Sequence, residues 1–136
     1  MIKLIVGSKG AGKTKILIDQ VNKAAKTTNG SVVCIEKAMN LQFEIVPSVR
    51  LIHADEYDIK GFDVFYGFLS GVLAGNYDIK DLFVDGILRI GGEVKDLEGF
   101  ADLVERVEKL VKDEVTVTFT VSTDVDNIPE RIKKYL

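Results

Sequence analysis

The sequence predicts an α/β fold: a mostly parallel sheet of about five strands with helices on both faces. Three observations predict it. Apolar runs of strand length alternate with segments of helical periodicity along the chain. The early strands read as continuous apolar stretches, the pattern of strands covered on both sides. The first of them, "IKLIV", runs through a glycine-rich turn straight into a helical segment, "KTKILIDQVNKAAK".

Each element has its own reason. Residues 2–6 are aliphatic and β-branched and end at Gly7, as a buried strand does. Leu17, Val21 and Ala24 recur at helical spacing, giving a helix from about Lys13 to Thr27 with Gly30 as its stop. "SVVCIE" (31–36) is a second strand. Between 37 and 60 a strand near 49–53 is expected in otherwise irregular chain. Phe62, Phe65, Tyr66, Leu69 and Leu73 predict a helix reaching about Asn76, and "DLFVDGILRI" supplies a strand around 82–87. Leu97, Phe100, Ala101, Val104, Val107 and Val111 mark a helix that Asp96 caps. "EVTVTFTVS" (114–122) is the clearest strand. Pro129 opens a last short helix ending "RIKKYL".

A chain of 136 residues suits one domain, residues 1–136, able to bury roughly two-thirds of its unfolded surface. Apolar residues at 46% and charged residues at 29% are ordinary for a soluble globular protein. A formal charge of −3 gives no broad attraction to nucleic acid or an anionic membrane. The most apolar stretch, "FDVFYGFLSGVLAGNY", is too short to span a bilayer and carries Asp63. Cys34 is the only cysteine, so no internal disulfide forms, and it reads as a small buried hydrophobe. "MIKLIV" is too short for a secretory leader, which makes a cytoplasmic setting the expectation.

The chemistry concentrates in "GSKGAGKT": Gly7, Ser8, Lys9, Gly10, Ala11, Gly12, Lys13 and Thr14. Gly-x-x-x-x-Gly-Lys-Thr between a strand and a helix suits a phosphate. The glycines let backbone N–H groups curl around an anion, and the helix adds the positive end of its dipole. Lys13 would reach the β- and γ-phosphates, and Thr14 would offer its hydroxyl to Mg²⁺. Lys9 has no required role.

This stretch resembles the Walker A motif of the P-loop NTPases, a resemblance resting on eight residues and their α/β surroundings. It implies a three-layer P-loop NTPase fold of the additional-strand, recombinase-like branch. The loop strand would then lie beside the last strand, with the Asp85 strand next. The implied ligands are ATP and Mg²⁺. Asp85, closing "DLFVD", looks like the second metal-side residue, with Asp55 as its rival. Many relatives place a glutamate directly after that aspartate; here the position is Gly86. Glu36, at the end of the second strand, is the expected water-activating residue, with Glu56 or no dedicated glutamate as alternatives. Ser122, with Thr123 beside it, looks like a sensor near the γ-phosphate.

No Asn-Lys-x-Asp guanine-reading motif and no insert long enough for an arginine-bearing lid are present. The reading is a Mg-dependent ATPase, slow or activated by a partner. The alternatives are a small-molecule or nucleotide kinase, and an ATP-responsive switch without turnover. Arg89, four residues past Asp85, could contact a ligand or a neighbouring subunit's nucleotide, or be a surface arginine. His53, the only histidine, is expected to pack at a strand edge. Gly67, Gly71 and Gly75 lie on one helix face, where glycine costs up to about 1 kcal/mol each. Tight internal packing is the first explanation, and docking of a protein partner or a second copy is the other.

Overall fold

The computed structural model describes all 136 residues. In chain order it contains β1 (Ile2–Gly7), α1 (Lys13–Thr27), β2 (Ser31–Glu36), β3 (Arg50–His53), α2 (Phe62–Gly75), β4 (Ile79–Asp85), α3 (Ile87–Gly91), α4 (Leu97–Val111) and β5 (Thr116–Ser122). Short 3-10 turns follow β3 at Ala54–Tyr57 and end the chain at Val125–Asn127 and Glu130–Tyr135.

The five strands form one parallel sheet in the order β1-β5-β4-β2-β3. The loop strand therefore lies beside β5, and β4, which ends at Asp85, comes next. Registry aligns the carboxyl ends. Gly7 is opposite Ser122, Asp85 opposite Glu36, and Glu36 opposite His53. Ligands of open parallel sheets bind along such a row of strand ends.

Both faces are covered, as continuous apolar strands require. Successive residues of β2 point to opposite sides. Val32 and Cys34 join Leu17 and Val21 of α1 and Leu41, Ile45 and Val49 of the β2–β3 connection. Val33 and Ile35 join the larger core beneath α2, α3 and α4, where Phe100 meets Phe119 edge-on at 5.5 Å. No helix is long and apolar enough to cross a membrane.

Four expectations need correction. The stop of α1 is not Gly30: Thr28, in extended conformation, returns its N–H to the Ala24 carbonyl. Gly30 serves a close approach instead, since a Cβ there would lie 2.2 Å from the Asp78 carbonyl oxygen. The fourth strand runs Ile79–Asp85 rather than 82–87, because Gly86 at φ 75° turns the chain into α3, a one-turn helix with no sequence expectation. The final segment is a 3-10 turn anchored by buried Ile132. Finally, nothing packs against Gly67, Gly71 and Gly75: all three are exposed, and a Cβ at any of them would meet no atom within 4 Å. Phe65 and Leu69 carry the burial of α2 on its other side.

Candidate functional site

The site begins where β1 gives way to α1. Gly10 and Gly12 hold φ of 87° and 86°, a left-handed conformation that a Cβ disfavours, and between them the chain reverses. Ala11 donates its N–H to the Ser8 carbonyl at 3.1 Å, closing the turn. Gly12 is the N-cap of α1 and brings no side-chain cap, so no side chain satisfies the first N–H groups of the helix. Ser8, Lys9, Gly10, Ala11 and Gly12 are all exposed. At the strand end, a Cβ on Gly7 would press on the Ala11 Cβ at 3.0 Å.

Lys13 opens α1 and is only 7% exposed, unusual for a lysine. Its ammonium donates to the Ser8 carbonyl at 3.0 Å, so the side chain folds back over the loop. Burial lowers its pKa from the ordinary lysine value; the Asp85 charge opposes that, and Lys95 adds to it.

Asp85 is buried at the tip of β4 and held by hydroxyls. Thr120 donates to Asp85 Oδ1 at 2.7 Å and accepts the Gly86 N–H at 2.8 Å, while Thr14 donates to the same Asp85 oxygen at 3.5 Å. Loop, helix start and β4 tip thus meet through Thr14 and Asp85. Ser122 ends β5 opposite Gly7, and Thr123 returns its N–H to the Gly7 carbonyl at 3.1 Å.

No three carboxylate, histidine or cysteine side chains gather to enclose a metal. One aspartate oxygen beside one threonine hydroxyl suits Mg²⁺, which keeps several waters and takes phosphate oxygens as further ligands. Asp55 is placed differently. It sits just past β3, on the far edge of the sheet, with both oxygens 3.1 Å from the Lys37 ammonium.

Glu36 is 2% exposed, and both its oxygens are engaged: Asn40 donates to Oε1 and Leu41 to Oε2, each at 3.0 Å. His53 stands between two glutamates, its Nε2 3.4 Å from Glu36 and its Nδ1 3.3 Å from Glu56. That Nε2 is buried without a hydrogen-bond partner. Buried Cys34, two residues before Glu36 in β2, has its thiol pushed far up, by burial first and then by Asp85 and Glu36.

One participant escaped sequence reasoning, Thr120. Thr116, Thr118 and Thr120 alternate with Val117, Phe119 and Val121 in β5, so polar groups repeat on one face of a strand with no wet side. That alternation was the available signal for Thr120.

No family model matches the chain, and no curated protein matches it in sequence. Among solved structures, a KaiC-like protein from the hyperthermophilic archaeon Pyrococcus horikoshii resembles it with a TM-score of 0.70. The likeness covers 98% of this chain and 68% of that one, at 16% sequence identity. It shows the fold: a parallel α/β sheet with helices on both faces.

Proposed function

We propose that this chain is a nucleotide-binding domain that holds Mg²⁺-ATP on Gly7–Thr14 and hydrolyses it slowly, faster with a partner. One observation carries the reading: the glycine loop, buried Lys13, Thr14 and Asp85 converge at the adjoining ends of β1, β5 and β4. Exposed loop amides and the start of α1 suit a polyanion. Lys13 can leave the Ser8 carbonyl for a phosphate oxygen, a stronger acceptor for an ammonium. Thr14 and Asp85 would hold Mg²⁺, whose charge would offset that on the phosphates. Ser122, opposite Gly7, would donate to the γ-phosphate.

Hydrolysis forms a bond from a water oxygen to the γ-phosphorus and breaks its bond to the β,γ-bridging oxygen, whose electron pair leaves with ADP. Glu36 is the carboxylate proposed to orient that water, using lone pairs that Asn40 and Leu41 leave free. Its engagement and the glycine after Asp85 support low basal turnover. The same engagement favours a second reading, an ATP-responsive binding module without turnover. In either, the uncovered Gly67, Gly71 and Gly75 face of α2 would receive a protein partner or a second copy, in the cytoplasm.

The test is thermal melting with Mg²⁺ and ATP, ADP, GTP or no nucleotide, followed by phosphate release. ATP is expected to raise the melting temperature of the parent by several degrees, as saturation at 100 times Kd adds about 2.7 kcal/mol. Lys13→Ala is expected to lose that gain. A parent that responds to no nucleotide ends the reading. A response without phosphate release selects the second one.

A further inference from the structure

Arg89 differs from two of the chain's other arginines. Arg106 pairs with Asp63 at 2.8 Å and lies 4.0 Å over the Tyr66 ring. Arg131 is ringed by Glu98, Asp102 and Glu105. Arg89 is exposed and forms no ion pair. Yet its side chain does not extend away from the protein. It folds back over Gly86, where a Cβ would stand 2.9 Å from Nη2, 3.3 Å from Nε and 3.5 Å from Cζ. The whole guanidinium group therefore lies against the α-carbon that follows Asp85.

That α-carbon is itself fixed. Gly86 is buried, holds φ 75°, and donates its N–H to Thr120, the hydroxyl that also binds Asp85. The guanidinium thus rests on the same rigid corner that presents Asp85 to Thr14. Lys13, folded over the loop, and the Asp85 carboxylate both border that corner. The carboxylate on the neighbouring strand, Glu36, accepts from the Asn40 and Leu41 amides. A guanidinium is always charged and offers its donors in a planar fork that matches phosphate oxygens. Laid on the α-carbon that follows Asp85, it suits a phosphate oxygen.

We propose that Arg89 reads the terminal phosphate of the bound nucleotide and so sets the preference of this chain for a triphosphate over a diphosphate. This rests on the nucleotide reading above and adds a specificity-determining residue to it. Gly86 is required by its own φ of 75°, and its bare α-carbon leaves room for the guanidinium beside Asp85. The cation that many phosphate-binding sites borrow from a neighbour would here come from the same chain.

Affinities of the parent, Lys13→Ala, Arg89→Ala and Arg89→Lys for ATP and ADP, each with Mg²⁺, test it by titration calorimetry. Arg89→Ala is expected to weaken ATP about tenfold or more while leaving ADP within about twofold, the size of a lost charge-assisted contact. Arg89→Lys should recover part of the difference, because an ammonium keeps the charge and loses the fork. An ATP:ADP ratio unchanged in Arg89→Ala overturns the proposal, as does an equal loss for both nucleotides. If the parent binds and Lys13→Ala does not, such a result leaves the nucleotide site standing and removes Arg89 alone. If the parent binds neither nucleotide, the reading and the proposal fall together.

Discussion

Asp85 and Glu36 end adjacent strands and face each other in register, yet their surroundings set them apart. Asp85 accepts from two hydroxyls, Thr120 and Thr14. Hydroxyl donors can turn, so its carboxylate remains available to a cation. Glu36 accepts from the backbone N–H groups of Asn40 and Leu41, which cannot turn without moving the chain. It thereby pins the start of the β2–β3 connection, whose Leu41, Ile45 and Val49 cover the α1 face. The difference teaches that position on a row of strand ends nominates a residue for chemistry, and the donor type around it decides how freely that residue can act. A third carboxylate, Asp81, completes the contrast. It lies near the other end of β4, where burial holds its carboxyl above the ordinary range against a weaker opposing pull from Lys3.

These three environments respond differently to mutation. The largest effect is expected at Glu36: Glu36→Ala strips two amides of their acceptor and should cost about 3 kcal/mol in denaturant unfolding. Glu36→Gln keeps an oxygen for one amide, so it separates support from chemistry. Phosphate release is expected to vanish while nucleotide binding persists, and unchanged release would remove Glu36 from the mechanism. Thr120→Val comes next. Loss of the hydroxyl leaves Asp85 without its short donor and the Gly86 N–H without an acceptor, costing about 1.5 kcal/mol. It should also weaken Mg²⁺-dependent nucleotide binding more than metal-free binding, and equal losses in both would count Thr120 as structural only.

The smallest effect belongs to Asp81. A carboxyl whose pKa is raised on folding binds its proton more tightly in the folded state. Its contribution is therefore present at acid pH and fades as pH rises through the raised value. Asp81→Asn should make the protein more stable than the parent at neutral pH, by no more than about 0.5 kcal/mol, and the gain should disappear at acid pH. A gain that grew on acidification would reverse the assigned sign.

The same contrast marks what could be read in advance. The turn at residues 7–14 was legible because its conformation is local: the glycines specify the reversal, and the strand before and helix after are written in adjacent sequence. The place of Asp85 near a strand end was legible because an apolar run ending in aspartate is also a local pattern. The glycines of α2 misled in their first explanation, since a stripe of small residues records that something can approach and not whether this chain supplies it.

By itself, the sequence determined the alternation of strands and helices, the parallel sheet, and the loop that would grip a phosphate, because periodicity and glycine spacing act over a few residues. Only the tertiary structure decided which side chains and amides met at the strand ends. It bound Glu36 to the amides of Asn40 and Leu41, hung Asp85 from Thr120, and laid Arg89 across Gly86. Those contacts join residues whose partners are fixed by sheet order and registry, and hydrogen bonds between distant segments exist only once the core has brought them together.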